Sequence, residues 1–436
     1  MPRHALLLAA LVTGAAAALQ AQIPDSVYLR RALALQRQVP MIDGHNDLPW
    51  KFRARGSDSY EGAVERNPNL SLDSFDLSRP QPTLMTDIPR LRAGRVGAQF
   101  WSTWIPNELV PAGSARAEWE LIDIVHRLMA RYPHDFVFAR TAADIERAHR
   151  EGRIAGLIGI EGGHAIENSL PLLRAYYDAG ARYMTLTHNT TLAWADAALD
   201  TARHNGLTPF GYEVVREMNR LGMLVDLAHV SDSVMAQALR TSAAPVIFSH
   251  SSARAIADHP RNVPDAILRL VPANGGIVMV NFNCGFVSHA MAEREKARHA
   301  AVLELRARLA PTDSAALRAG MAAWDAAHPE PPRPTIGEVA DHIDHIRQVA
   351  GIDYIGYGSD FDGIDCAPQG LEDVSTFPRL TAELLRRGYS EADVKKVIGL
   401  NLLRVMRRVE AVSAQLRRER GPSTATLYSL DSAGTR

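Results

Sequence analysis

Short apolar runs, each followed by a polar cluster and then by an amphipathic stretch, recur along the chain. The runs are of strand length and continuous rather than alternating, which is typical of strands buried on both faces. They lie at 41–43, 154–160, 183–186, 223–227, 245–248, 276–280 and 354–358. Stretches between them, such as 211–221 and 263–270, have helical spacing. This alternation predicts an α/β fold with a parallel sheet, and polar residues at the strand ends favour a (β/α)8 TIM-like barrel.

An open, doubly wound parallel sheet is the structural alternative. Such sheets commonly bind nucleotides, but the sequence contains neither G-x-G-x-x-G nor G-x-x-x-x-G-K-[ST]. It also contains neither G-x-S-x-G nor H-E-x-x-H, the motifs of many serine hydrolases and of zincins. The barrel is therefore the preferred fold.

One stretch, at about 287–334, departs from the strand and helix repeat. Residues 290–327 are rich in Ala, Arg and Glu at helical spacing, and a proline segment at 331–334 follows them. We expect a helical insertion on one barrel loop, joined back by a stiff connection. It is either a solvated surface decoration or a lid over the active-site mouth, and the first is favoured because most loop insertions lie on the surface.

The first 21 residues predict a signal peptide. Arg3 precedes an apolar run of fifteen residues, and small residues at Ala18 and Ala21 suit cleavage. The run is shorter than the ~20 residues that span a bilayer. No cysteine follows to accept a lipid, and 423–436 is polar. We expect residues 22–436 to form one exported domain, periplasmic or secreted, without a stable membrane anchor.

Charge and cysteine content restrict which partners and which kinds of metal site the chain can have. The chain has 436 residues, with 48 basic and 49 acidic side chains, so it lacks the basic excess typical of nucleic-acid binders. Its two cysteines, Cys284 and Cys366, are too few for a disulfide framework or a Cys-rich zinc site. A single bridge between them stays open. Any metal must be held by His, Asp and Glu.

The strand ends carry five side chains that suit a metal site. His45 and Asp47 lie two apart at the end of a predicted strand, so both project the same way. Glu161, His229 and His250 follow other predicted strands, and parallel strand ends meet at one rim of a barrel. We expect His45 and Asp47 to bind one ion, His229 and His250 a second, and Glu161 to bridge them.

These nitrogen and oxygen donors suit Zn²⁺ and also permit manganese or cobalt. Two such ions can share a hydroxide at neutral pH and polarise a carbonyl, as hydrolysis requires. Asp360 follows the last predicted strand, where it could move the proton of the attacking water to a leaving amine. Asp362 is the competing carboxylate, and the residue nearer the strand is preferred. His188 could donate to the oxyanion, and Arg261 could hold a substrate carboxylate by a forked contact.

Other polar residues receive no role in the predicted chemistry. A second H-x-D, His342 and Asp344, lies in a helical pattern where residues two apart diverge, so we expect it at the surface. The remaining groups beside the motifs, expected to be structural or to support the ligands, are His164, Asp196 and His259.

The motifs resemble the membrane dipeptidase (renal dipeptidase) family of zinc peptidases, within the amidohydrolase-like metal-dependent barrels. The matching segments extend from about residue 40 to about residue 410 and include 42–47, 160–164, 186–189, 194–196, 206–211, 225–231, 248–252, 261–265 and 358–363. The resemblance implies a binuclear zinc barrel that cleaves dipeptides, often including those with a C-terminal D-residue.

The resemblance also implies roles for individual residues. It makes His45, Asp47, Glu161, His229 and His250 the zinc ligands, with Glu161 bridging, and it places His188, Arg261 and Asp360 at substrate-binding and catalytic positions. A homodimer is a further expectation. Mammalian members are lipid-anchored and disulfide-linked, whereas this chain has no anchor signal and too few cysteines for such linkage, so membrane attachment does not carry over. The insertion is absent from the simple family pattern.

Two other functions stay open. The same site could serve a related amidohydrolase, such as an N-acyl-amino-acid deacylase or a β-lactam hydrolase. A non-catalytic metal-binding or peptide-binding protein is the less favoured alternative, because a binding protein has no need for an acid–base Asp360 beside a bridged metal pair.

Overall fold

The computed structural model describes residues 25–53, 70–309 and 313–431. The predicted signal peptide, 1–21, lies outside the described residues. Within these ranges, no helix combines the length and the apolar character needed to cross a bilayer.

Within the described ranges, nine parallel strands form one sheet. They are β1 (Met41–Asn46), β2 (Val96–Trp104), β3 (Phe136–Phe138), β4 (Ile154–Glu161), β5 (Ala181–Thr185), β6 (Leu224–Asp226), β7 (Ile247–Phe248), β8 (Ile277–Val280) and β9 (Ile355–Tyr357). Their order is β2-β1-β9-β8-β7-β6-β5-β4, and pairing of β2 with β4 closes these eight into a ring. Strand β3 pairs only with the start of β4. The predicted (β/α)8 TIM-like barrel is confirmed.

Helices surround the ring and connect its strands. They are α1 (Asp25–Gln38), α2 (Leu48–Arg53), α3 (Ile88–Ala93), α4 (Val110–Arg131), α5 (Ala142–Arg150), α6 (Leu170–Ala179), α7 (Pro209–Leu221), α8 (Asp232–Thr241), α9 (Asp265–Leu268), α10 (Val271–Asn274), α11 (Cys284–Val287), α12 (His289–Arg308), α13 (Ser314–Ala327), α14 (Ile336–Val349), α15 (Phe377–Arg386), α16 (Glu391–Lys395), α17 (Asn401–Glu419) and α18 (Leu427–Asp431). A π-helical turn, Lys396–Leu400, joins α16 to α17.

Local sequence explains where several helices begin and end. Thr335 caps α14 through a capping box with Glu338, which satisfies backbone N–H groups at the first turn. Helix α7 starts with Pro209 behind a Thr208 cap and ends at Gly222, whose φ of 88° suits a residue without a side chain. The boundaries of these helices are therefore determined by residues at the helix ends themselves.

The barrel interior links packing to the strand ends. Tyr183 of β5 is fully buried, and a Cβ added at Gly159 of β4 would lie 1.9 Å from its ring. Only glycine at 159 therefore leaves space for Tyr183. The Tyr183 hydroxyl reaches 2.7 Å from Nδ1 of His45, so interior packing fixes the orientation of a predicted metal ligand.

The segment expected to form an insertion contains α12 and α13, which pack against each other. Just before it, a disulfide joins Cys284 of α11 to Cys366 in the loop after β9. The bridge that the sequence left open is therefore present, and it connects the base of this helical pair to the loop that follows Asp360.

The surface position expected for His342 is wrong. His342 is fully buried in α14, where its Nδ1 accepts the backbone N–H of Ala253 and its Nε2 donates to the carbonyl of Val287. Asp344 does diverge from it and forms an ion pair with Arg387. His342 lies on the same face of α14 as Val339 and Ile346, which are three and four residues away, so the helical spacing already indicated a buried position. Backbone groups of other elements satisfy its ring nitrogens there.

Candidate metal centre and substrate cleft

The predicted functional residues meet at one end of the barrel. His45 lies in β1 and Glu161 ends β4, whereas the others lie within three residues of the ends of their strands: Asp47 after β1, His188 after β5, His229 after β6, His250 after β7 and Asp360 after β9. Arg261, from the loop between β7 and α9, joins them in the same cleft. This is the carboxyl end of the strands, where barrel enzymes hold their active sites.

Glu161 lies at the centre of the cluster. Its Oε1 is 2.9 Å from Nε2 of His229 and 3.5 Å from Nε2 of His250. Its Oε2 is 3.3 Å from Nε2 of His45, which is in turn 3.2 Å from Oδ2 of Asp47. One carboxylate thus directs its two oxygens toward two different sets of side chains, as a bridging ligand would.

Among the described residues, three overlapping groups have side-chain atoms close enough together to hold a cation. They are His45, Glu161 and His250; Glu161, His188 and His229; and His45, Asp47 and Asp360. Glu161 belongs to two groups and His45 to two, so the groups form one continuous cluster. His250 is grouped with His45, and its Nε2 also lies 2.9 Å from Nε2 of His229, so it can serve with either neighbour.

Hydrogen bonds determine which imidazole nitrogens are free to bind a metal. The hydroxyl of Ser249 donates to Oδ2 of Asp226 at 2.6 Å, so it accepts from Nδ1 of His250 at 2.8 Å. Nδ1 of His229 donates to Oδ1 of Asn189 at 2.9 Å. Each Nε2 is therefore unprotonated and available as a ligand.

The electrostatics of the cluster favour a cation. Burial lowers the pKa of both His229 and His250 well below 6.5, which keeps them neutral. Burial opposes ionisation of Glu161, but the charge of the neighbouring His45 holds its pKa well below 4.5. Nε2 of His45 faces the carboxylates of Asp47 and Glu161, a position that suits a positive charge. Neutral imidazoles and ionised carboxylates are the forms that bind metal, so the donor set fits.

Asp360 and Asp362 differ in what they face. Oδ2 of Asp360 accepts from the amide of Asn281 at 2.9 Å, and Oδ1 lies 4.0 Å from Nε2 of His45. Burial, together with Asp47 and Glu161, raises the pKa of Asp360 well above 3.8. By contrast, Oδ1 of Asp362 accepts the backbone N–H of Met85 at 2.8 Å. Burial also raises the pKa of Asp362, to about 6, so the position beside His45, and not the pKa alone, distinguishes Asp360 as the carboxyl that could exchange a proton at the cluster.

His188 and Arg261 present donors to the cleft. The indole N–H of Trp104 donates to Nδ1 of His188 at 3.3 Å, which places the proton of the neutral imidazole on Nε2. Burial lowers the pKa of His188 to about 4, so the ring stays neutral. The buried guanidinium of Arg261 lies 5.3 Å from the ring centre of Phe286. Burial lowers its pKa only to about 10, so it remains charged.

Two buried carboxylates that orient the site were not among the predicted residues. Asp226 accepts from the backbone N–H and hydroxyl of Ser249, and thereby orients His250. Asp43 accepts the same two bonds from Ser359, the residue before Asp360. The sequence contained a signal for both orienting carboxylates, because each lies close to a predicted metal ligand. Asp43 precedes His45 by two positions, and Asp226 precedes His229 by three.

The residues that received no chemical role have structural contacts. Asp196 accepts backbone N–H groups from Arg203, His204 and Gly206, and so shapes the loop after β5. His164 is buried and its Nε2 contacts the carbonyl of Ile105 at 2.9 Å. His259 accepts the backbone N–H of Arg261 through Nδ1 and therefore supports the loop that carries it.

Comparison with known proteins gives the family. A family model described as membrane dipeptidase (peptidase family M19) matches residues 29–420. Dipeptidase 3 of Rattus norvegicus is 41% identical over 387 residues, which are 88% of this chain and 67% of the rat protein. Dipeptidase verJ of Clonostachys rogersoniana is 39% identical over 400 residues, 89% of each chain.

Solved structures share the fold. The probable dipeptidase PvdM from Pseudomonas aeruginosa has a TM-score of 0.72 at 23% identity, and the match covers 89% of this chain and 99% of that one. A metallo peptidase from Rhodobacter sphaeroides, liganded with a phosphinate mimic of the dipeptide L-Ala-D-Ala, has a TM-score of 0.63 at 23% identity, covering 85% and 99%.

The barrel and its strand-end cluster of His, Asp and Glu define a metal-dependent hydrolase. The chain belongs to the membrane dipeptidase family, peptidase family M19, and is a metallo-dipeptidase. The resemblance inferred from its motifs is confirmed.

Proposed function

We propose that the chain is an exported dipeptidase that binds two Zn²⁺ ions and hydrolyses the peptide bond of dipeptides, including those with a C-terminal D-residue. The observation that carries the proposal is the position of Glu161, whose Oε1 and Oε2 face different imidazoles. His45 and Asp47 would hold one ion, and His229 and His250 the other. Bound zinc lowers the pKa of water and polarises a carbonyl, which is the chemistry that hydrolysis needs.

The remaining residues of the cleft have separate tasks. Asp360, with its raised pKa, would receive a proton from the attacking water and pass it to the leaving amine. His188 would donate from Nε2 to the developing oxyanion, because Trp104 occupies its other nitrogen. Arg261 would bind the substrate's terminal carboxylate, since its guanidinium stays charged although fully buried.

Stereochemical tolerance is supported by the fold relative from Rhodobacter sphaeroides, which is liganded with a mimic of L-Ala-D-Ala. Export is supported by the apolar N-terminal segment and by the disulfide between Cys284 and Cys366, since such bridges persist in oxidising compartments. A homodimer is the assembly expected for this family.

A substrate panel tests the proposed specificity. Mature protein loaded with Zn²⁺ would be assayed on L-Ala-L-Ala, L-Ala-D-Ala, N-acetyl-L-alanine and a β-lactam at equal concentrations. The proposal predicts that both dipeptides are hydrolysed at kcat/KM values well above those of the other two compounds. Faster hydrolysis of N-acetyl-L-alanine or of the β-lactam would contradict it and favour the related amidohydrolase. Glu161→Gln serves as the control for contaminating peptidases, because it removes one oxygen of the bridging carboxylate.

A further inference from the structure

One face of α12 forms a wall of the catalytic cleft. The residues of this helix that line the cleft recur at helical spacing: Ala292, Glu295, Lys296, His299 and Leu303. The cleft encloses about 1170 Å³, which exceeds the usual range of small-molecule sites. The inserted helix therefore borders the space that a substrate enters and is more than a surface decoration.

The base of this wall lies beside Arg261. Oε2 of Glu295 is 3.6 Å from Nε2 of His259, whose Nδ1 accepts the backbone N–H of Arg261. A Cβ at Gly285 would lie 2.2 Å from the same Glu295 oxygen, so the Glu295 carboxyl lies directly against the backbone of α11. Phe286, the next residue, packs against the Arg261 guanidinium. If Arg261 binds the terminal carboxylate, the C-terminal residue of the substrate lies next to α12.

Within the described part of the chain, Lys296 and His299 are the basic residue types that α12 presents to the cleft, and Lys296 carries the ammonium. Two arginines of the same helix, Arg294 and Arg298, are instead paired with Asp325 of α13 at 3.0 Å. Lys296 is largely exposed and has only a loose ion pair with Glu293, at 3.9 Å. Its ammonium is therefore available to a ligand in the cleft.

We propose that Lys296 is a specificity-determining residue that favours dipeptides whose C-terminal residue carries an acidic side chain. The ammonium of Lys296 pairs with the side-chain carboxylate, while Arg261 holds the terminal carboxylate. The assignment rests on the proposed function. Because Asp200, Asp258 and Asp365 also line the cleft, the overall field does not select anions, and the preference arises from this local contact. The effect is modest, since exposed ion pairs are weak.

A pair of isosteric dipeptides isolates the effect of the negative charge on the C-terminal side chain of the substrate. The ratio of kcat/KM for L-Ala-Glu to that for L-Ala-Gln, with either stereoisomer at the C-terminal position, compares substrates of one shape. We expect wild-type ratios of about two to five in low salt, decreasing with added NaCl. Lys296→Met should bring the ratio to about one, and Lys296→Glu should bring it below one. Arg318→Met is the matched control, because Arg318 is exposed on α13 and outside the cleft lining, and it should keep the wild-type ratio.

A wild-type ratio of one or less for both stereoisomers, or a ratio that Lys296→Met leaves unchanged, would overturn the role of Lys296 while dipeptide hydrolysis itself persists. A protein that cleaves none of the dipeptides, in zinc-loaded form, would overturn the proposed function and this assignment with it.

Discussion

Nε2 of His229 lies 2.9 Å from Nε2 of His250. The Nδ1 atom of each ring donates to a fixed acceptor, the Asn189 amide in one case and the Ser249 hydroxyl in the other. Both Nε2 atoms therefore carry lone pairs, and two lone pairs at this distance repel unless a cation lies beside them. The fold holds these rings in an arrangement that a bound metal stabilises.

Asp226 keeps the proton of the His250 imidazole on Nδ1, and replacing Asp226 should weaken metal binding. In Asp226→Asn the Ser249 hydroxyl loses its carboxylate acceptor and can donate to Nδ1 of His250 instead, which moves the imidazole proton to Nε2. We expect zinc affinity to fall about 10- to 100-fold, measured by competition with a chromophoric chelator. Asp232→Asn is the control, because Asp232 is an exposed carboxylate that pairs with Arg254 away from the cluster. Unchanged affinity in Asp226→Asn would show that the tautomer does not depend on this carboxylate.

Asp360→Asn should separate catalysis from metal binding. The amide keeps the size of the side chain but cannot accept the proton of the attacking water, so kcat should fall about 10²–10⁴-fold with metal content retained. Asp362→Ala should instead lower stability, because it removes the oxygen that accepts the backbone N–H of Met85. Steady-state kinetics and metal analysis of both variants check this, and full kcat in Asp360→Asn would remove Asp360 from the mechanism.

Arg261→Lys should raise KM for substrates that have a free terminal carboxylate. Lysine keeps the charge and loses the forked contact, so we expect KM to rise about 10- to 100-fold. The corresponding dipeptide amides should be affected far less. An equal loss on free and amidated substrates would argue that Arg261 supports the fold of its loop and does not bind the carboxylate.

Glu118 should make stability fall with rising pH. This residue of α4 is fully buried, and burial raises its pKa from 4.5 to about 8. Between these values the folded state retains a proton that the unfolded state has lost. The stability that Glu118 contributes is therefore complete below pH 4.5 and decreases up to about pH 8.

Glu118→Gln removes this titration. The free energy of unfolding of the variant relative to wild type should increase by up to about 1.4 kcal/mol per pH unit across that window, measured by urea unfolding at several pH values. Glu304→Gln, at an exposed site, should show no such slope. A pH-independent difference for Glu118→Gln would mean that Glu118 is ionised in the folded protein.

The barrel and the convergence of the strand-end residues were predictable because both follow from local patterns. Continuous apolar runs mark buried parallel strands, and the residue after each run lies at the same rim whatever the details of packing. The preference for Asp360 over Asp362 came from the same geometry, and the structure places only Asp360 beside His45.

Features that depend on distant contacts were not predictable. The apolar face of α14 was visible in its helical spacing, but the partners that let His342 be buried on that face, the backbone groups of Ala253 and Val287, come from other elements. The orienting role of Asp226 depends on Ser249, which is 23 residues away in sequence. The cleft-facing side of α12 includes Glu295, whose contact with His259 joins this helix to the loop between β7 and α9. Such pairings become visible only once the chain is folded.

Metal titration of the mature protein tests the central claim most directly. Chelator-stripped protein would receive increasing Zn²⁺ while bound metal and hydrolysis of L-Ala-L-Ala are measured in the same samples. The proposed site predicts no turnover without metal and full activity at two bound zinc ions per chain, with Glu161→Gln failing to reach this stoichiometry. Stripped protein that hydrolyses the dipeptide at the untreated rate would contradict it.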